Sequence, residues 1–235
     1  MSTRIENVVC FGDSIAYGFG TETRVGWAEL LRRHFYRLNH QIRDQHACFF
    51  DQTIPGESSE SLRDRIAWAT DHKSGAQSTR SLLYRLTRSN LTVISIGGQD
   101  LYSNLRANRD PYDALASFVR AVGDMASRVA DMGAILYIGP PAPKKEVAEH
   151  RVFGYNTTVG EFMNKYQIAA ENAIAGEALM AGKQFSTVRL FEATMDHPDY
   201  RLGPDRNHPT EAGHQLIFDI IRPKFDTMVG VYYEV

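Results

Sequence analysis

Two stretches of this chain pair residue types that could carry out acyl chemistry. The first is Phe11-Gly12-Asp13-Ser14-Ile15-Ala16-Tyr17, which follows an apolar run from Ile5 to Cys10. Val8 to Phe11 read as a short buried strand, and Gly12 lets the backbone turn where a bulkier residue would crowd it. The Ser14 hydroxyl is therefore expected at the carboxyl edge of a sheet, where open α/β folds hold their ligands. Taken alone, a serine after a strand is more often a helix N-cap than a nucleophile. The second stretch, Asp205-Arg206-Asn207-His208-Pro209, sets a carboxylate three residues before an imidazole. That spacing can bring the acid to one ring nitrogen while the other faces a hydroxyl. In a hydrolytic triad the histidine takes the serine proton, and the acid fixes its tautomer and stabilises the imidazolium. Asp-x-x-His is weak by itself; its weight comes from a serine at a strand end.

Other reactive side chains read less well. His197-Pro198 repeats the His-Pro dipeptide eleven residues upstream, but Thr194 stands where the acid would be. His197 is accordingly expected on a loop surface, where it could face substrate. His214 falls among apolar positions and is expected to be a partly buried, hydrogen-bonded histidine rather than a ligand. Cys10 and Cys48 lie in apolar strand-like runs, so both read as small buried hydrophobes, and a disulfide is possible but not required. None of the eight histidines forms a His-x-x-x-His pair with an acidic neighbour, and Cys-x-x-Cys is absent, so no metal or other cofactor is expected. Asp13 is expected to brace its own turn. Tyr17, Phe19 and Tyr102 adjoin the reactive segments and could line an acyl pocket or simply pack beneath the loops.

Strand-like and helix-like segments alternate, the pattern of βαβ units in a mainly parallel sheet covered on both faces. Strands are predicted at Val8–Phe11, Ala47–Phe50, Leu91–Ile96, Ala134–Ile138 and Ser186–Phe191. Helices are predicted over residues 26–39 and 59–69, around Leu82–Leu86, over Leu115–Val129 and Tyr155–Leu179, and from Pro209 onward. Pro223 should kink or end the last of these. Residues 102–113 and 140–153 read as loops. No repeat or linker divides the chain, and residues 1–235 are expected to form one domain.

A formal charge of −2 with no long basic stripe argues against nucleic acid as a partner. The start lacks a charged segment followed by an apolar one, and no run is long enough to cross a bilayer. A cytoplasmic protein without stable membrane insertion is expected.

Taken in order, Gly12-Asp13-Ser14 with Tyr17-Gly18, Gly56, Gly97-Gly98-Gln99-Asp100 and Asp205-x-x-His208-Pro209 resemble the sequence blocks of the GDSL or SGNH hydrolases, spanning residues 11–209. The resemblance implies a flavodoxin-like three-layer α/β/α sandwich with a mainly parallel five-stranded sheet, and a serine esterase or lipase acting without metal. Carried over residue by residue, it makes Ser14 the nucleophile, His208 the general base and Asp205 its orienting acid. It also implies an oxyanion hole of the Ser14 N–H, the Gly56 N–H and a side-chain amide from the third block. There the family offers asparagine and this chain has Gln99, whose extra methylene must retract or approach from another angle. The implied reaction is cleavage of a small-molecule carboxylic ester or thioester through an acyl-serine. Acyl transfer on the same residues and a binding module with a weakened oxyanion hole are the alternatives.

Overall fold

The computed structural model describes residues 5, 7–41, 47–71, 85, 90–107, 109–152, 154–198, 200, 202–205 and 207–230. Five strands form one sheet: β1 (Asn7–Gly12), β2 (Cys48–Asp51), β3 (Leu91–Ser95), β4 (Ala134–Ile138) and β5 (Phe185–Val188). Their order is β2-β1-β3-β4-β5, and every neighbouring pair is parallel. After β2 the chain crosses back over β1 to place β3 on its other side. The carboxyl ends of β1 and β3, in register at Gly12 and Ser95, thus flank the topological switch point at which doubly wound sheets of this order open a crevice.

The helices are α1 (Ser14–Tyr17), α2 (Trp27–Gln41), α3 (Ser59–Asp71), α4 (Gly98–Arg106), α5 (Pro111–Ala130), α6 (Lys145–Ala148), α7 (Val159–Met180), α8 (Leu190–Met195) and α9 (Glu211–Val229). Side chains alternate across a strand, so β1 feeds two cores. Val9 and Phe11 join Leu62 and Ile66 of α3, Phe118 and Val122 of α5, and Phe162 and Tyr166 of α7. Val8 and Cys10 join Trp27, Leu31 and Phe35 of α2 and Ile217, Ile221 and Phe225 of α9. Burial on both faces explains why β1, β3 and β4 read as nearly unbroken apolar runs. No helix among the described residues is long and apolar enough to cross a membrane.

Several boundaries differ from the sequence reading. The predicted strand Ser186–Phe191 stops at Val188, and Leu190 and Phe191 open α8. Most of residues 102–113 is helical, with α4 running to Arg106 and α5 starting at Pro111 behind an Asp110 cap. Within 140–153, Ala142 is buried and its N–H donates to Thr194 Oγ1 at 2.9 Å, and α6 supplies a helical turn. The helix predicted from Tyr155 begins at Val159, because the capping box of Thr158 and Glu161 fixes its start. Pro209 is not the first helical residue: it bridges Leu202, and Thr210 caps α9 by accepting from the Gly213 N–H. Pro223 lies inside α9, which continues six residues to Val229 while Ile221 and Phe225 stay buried on either side of it. Except for Arg85, the helix expected around Leu82–Leu86 lies outside the described residues. Cys10 is buried and Cys48 half-buried, with no disulfide between them.

One buried polar contact links α2 to α9: His34 Nε2 lies 2.6 Å from Asp226 Oδ1. Both residues are nearly inaccessible, so each depends on protein partners for what water would otherwise supply. His34→Ala is expected to destabilise the protein by about 2–3 kcal/mol, the range for a hydrogen bond lost to a buried charged group. It should appear as a lower urea midpoint at unchanged slope. His34→Gln, which keeps a donor, should recover part of that loss; an unchanged midpoint in His34→Ala would show that the contact contributes nothing.

Candidate active site

Ser14 owes its position to two neighbours. At Gly12, where β1 ends, an added Cβ would come within 2.4 Å of Ala16 Cβ, so only glycine permits α1 to turn back this tightly. Asp13 then takes the capping role in an extended conformation, its Oδ1 accepting the Ile15 N–H at 3.0 Å. Ser14 is therefore the first residue of α1 rather than its cap, and its hydroxyl is available to another partner. The partner is His208, whose Nε2 lies 2.9 Å from Ser14 Oγ across 194 positions of sequence.

A closed loop before α9 delivers His208. Leu202 and Pro209 form an antiparallel bridge, and the Gly203 N–H donates to the His208 carbonyl at 2.8 Å. Inside the loop, Asp205 Oδ1 accepts the N–H groups of Asn207 and His208 at 3.0 and 2.9 Å, leaving Oδ2 at 2.6 Å from His208 Nδ1. Partial burial works against the Asp205 carboxylate, yet the two N–H groups and the imidazole together hold its pKa below the ordinary carboxylate value. An ionised acid thus sits behind the ring while the ring faces the hydroxyl. Such a relay can accept a proton from the serine and stabilise the resulting imidazolium. Against the other side of the ring lies Phe19, with centroids 5.0 Å apart.

Ser14, Asp205 and His208 line a cleft of about 540 Å³ together with Gly56 and Gln99, so the five residues singled out in the sequence meet in one place. Gly56 has φ +78°, a conformation that side chains disfavour, although an added Cβ would meet nothing within 4 Å beyond its chain neighbours. Its loop is fastened at both ends. Arg65 grips Glu57 with two hydrogen bonds, at 2.9 and 2.7 Å, and donates a third to the Gln52 carbonyl. Beyond the glycine, the buried Asp100 accepts from the Ser59 N–H and hydroxyl, the latter at 2.6 Å, tying the start of α3 to α4. Asp100 is a positioning residue that the sequence reading left without a role, although it stands next to Gln99. The Gln99 amide, in the first turn of α4, donates to Ser103 Oγ at 2.8 Å.

Of the aromatic candidates, Phe19 and Tyr102 line the cleft, and neither Tyr17 nor His197 does. Ser103, Arg106, Val147 and Asn207 also line it and were not anticipated, because their helical and loop neighbours become adjacent only on folding. His214 departs from expectation. It is fully buried, and neither ring nitrogen finds a hydrogen-bond partner among the described residues. Burial, reinforced by the nearby His208, pushes its pKa down to about 4, so it persists as a neutral ring. Burial acts in the opposite direction on Asp13, which is raised to about 6 despite the N–H of Ile15, with Asp100 adding repulsion and His208 attraction.

The sequence model of the GDSL-like lipase/acylhydrolase family matches residues 10–216. The fold matches a lipase/acylhydrolase from Enterococcus faecalis at 18% identity, covering 97% of this chain and 99% of that one, with a TM-score of 0.65. It also matches a catalytic mutant of an acetylxylan esterase from Geobacillus stearothermophilus at 14% identity, covering 99% and 98%, with a TM-score of 0.63. A lipase from a goat-rumen metagenome aligns at 12% identity over 96% and 97%, with a TM-score of 0.65. No curated protein sequence matches the chain. The family match extends from the end of β1 well into α9, and on it the chain belongs to the GDSL-like lipase/acylhydrolase family, as an enzyme of the esterase and lipase class.

Proposed function

We propose that the protein hydrolyses carboxylic esters, thioesters included, through an acyl-Ser14 intermediate. The observation that carries this reading is the continuous line of contacts from Ser14 Oγ to His208 Nε2 and from His208 Nδ1 to Asp205 Oδ2, opening on one cleft. As Oγ attacks the ester carbonyl carbon, its proton passes to Nε2. Collapse of the tetrahedral intermediate breaks the bond to the alcohol oxygen, which leaves with that proton. Water then attacks the acyl-serine, again giving a proton to His208, and the acid departs as Ser14 regains its hydrogen. Asp205 stays ionised throughout, in keeping with its lowered pKa.

Negative charge on the carbonyl oxygen would be met by the Ser14 N–H, the Gly56 N–H and the Gln99 amide. Gln99 rests on Ser103, so its amide must rotate away from that hydroxyl to contribute. Phe19, Tyr102 and Val147 give the cleft apolar walls suited to a short or medium acyl chain. The lipases and the acetylxylan esterase of similar fold are consistent with an ester substrate.

A fluorophosphonate probe should label Ser14 at neutral pH, with labelling abolished in folded Ser14→Ala and His208→Ala. Hydrolysis of p-nitrophenyl acetate should fall by at least about 10³-fold in both variants. Full labelling of His208→Ala would remove the imidazole from the mechanism. Because the imidazole must be unprotonated to accept a proton, kcat/KM should decline on acidification within the range of about pH 8 to 5 in which histidines change charge. Asp205, held below the usual range, should not contribute to that limb. A flat profile across the interval would overturn the assignment of the base. Gln99→Ala should lower kcat by about 10²–10³-fold with little change in KM, the signature of a lost oxyanion donor. Ser103→Ala, which removes the resting partner of the amide, should raise kcat; wild-type kcat in Gln99→Ala would exclude the amide from the hole.

A further inference from the structure

Beside the cleft lies a second cavity of about 510 Å³, and the two share Gly56, Gln99 and Ser103 as a common wall. A molecule attached at Ser14 and passing Gln99 would enter it directly. Its lining differs in kind from that of the cleft. Where Phe19, Tyr102 and Val147 give the cleft its apolar sides, the lobe is lined mainly by polar residues, among them Glu60, Asp113, Arg109, Asn104, Ser58 and Ser117, with Ala114 and Phe118 beside them. Asp110 is also there, its carboxylate capping α5 and accepting the Tyr155 hydroxyl, while the Asn104 amide gives one N–H to the Asp100 carbonyl and the Ser58 and Ser117 hydroxyls accept from the Ser61 N–H and Arg120, keeping their own protons to donate.

The chemistry of these groups selects among alcohols. An alkyl chain placed in the lobe would strip water from carboxylates and amides and return no hydrogen bond, so a fatty alcohol is disfavoured. A phosphate-bearing group would meet Glu60, Asp110 and Asp113 against Arg109 as the one cation among the described lining residues, and like charges repel. Neighbouring hydroxyls on a ring suit the lining. They can donate to carboxylates and accept from guanidinium and amide, and the volume lies within the roughly 300–1,000 Å³ of small-molecule sites.

We infer that this lobe is a subsite for an uncharged, hydroxyl-rich alcohol, making acyl esters of sugars the preferred substrates. The inference rests on the reading of Ser14 as nucleophile. The acyl group lies against the apolar walls of the cleft, and the sugar extends past Gln99 and Ser103 between the start of α3 and Arg109.

The test compares substrates that share one acyl group: p-nitrophenyl acetate, ethyl acetate, an acetylated methyl glycoside and acetyl-coenzyme A. The glycoside ester should exceed ethyl acetate in kcat/KM by about tenfold or more, with acetyl-coenzyme A the poorer ester of the two bulky alcohols or thiols. Ser117→Trp, which fills the lobe, should reduce the glycoside-to-ethyl ratio by about tenfold. The rim pair Glu60→Gln/Asp113→Asn reads the same ratio should the bulky variant not fold, and it should also improve acetyl-coenzyme A relative to ethyl acetate. Turnover of p-nitrophenyl acetate that survives Ser14→Ala would defeat the nucleophile reading itself. Ser14-dependent turnover with a glycoside-to-ethyl ratio near unity, or a preference for acetyl-coenzyme A, would overturn the subsite alone.

Discussion

The contact between Ser14 Oγ and His208 Nε2 closes a loop of 194 residues, and much of the architecture is what keeps those atoms 2.9 Å apart. One side is fixed by β1, an inner strand whose end is turned by Gly12 and capped by Asp13. The other side hangs from the start of α9, a helix packed with α2 against the face of the sheet that carries Val8 and Cys10. The His34–Asp226 contact fastens those two helices to each other. Between the anchored helix and the site, the Leu202–Pro209 bridge and the N–H bonds to Asp205 leave the loop little freedom to carry the imidazole away. Positioning is therefore distributed: the Ser14–His208 contact is short, but its supports reach through the sheet and the helices packed on it.

Gathering these groups at a sheet edge has an electrostatic cost that falls on their neighbours. Asp13 must leave water to cap α1, and its folded-state pKa of about 6 exceeds the ordinary 3.8. A carboxyl that binds protons more tightly when folded stabilises the native state at low pH, and that contribution is lost as pH rises from about 4 towards 6. His214, lowered to about 4 from 6.5, does the reverse: its burial costs stability as pH falls through the same interval. The two slopes oppose each other. Asp100 follows Asp13 in direction, raised by burial against the Ser59 donors, and in exchange it fixes the loop that carries Gly56.

Local chemistry was legible in the sequence where a few adjacent residues determine it. The β-branched and aromatic runs of β1, β3 and β4 declare buried strands, and the Asp205–His208 spacing is realised as a contact within one turn of chain. Apolar runs whose members serve two elements were not separable. Val188, Leu190 and Phe191 are all buried, yet the first ends β5 and the others begin α8, a division that hydrophobicity alone does not mark. Pro209 has the residue type of a first helical turn but is held one step earlier by a bridge to Leu202, a partner that the tertiary fold supplies. His214 reads as polar and so as partnered; only the packed structure reveals that it serves as a neutral ring.

Gln99 shows how helix geometry changes the meaning of a substitution. Read in the sequence alone, its extra methylene is merely a longer reach than an asparagine would have. Placed in the first turn of α4, the same reach brings its amide to Ser103, one helical turn on, where side chains at i and i+4 share a face. A shorter asparagine amide extends less far along that face and has less access to such a resting position. Gln99 and Ser103 also form part of the wall between the apolar cleft and the polar lobe. Any rotation of the amide away from Ser103 therefore also alters this wall, so the extra methylene ties the orientation of the Gln99 amide to the shape of both cavities.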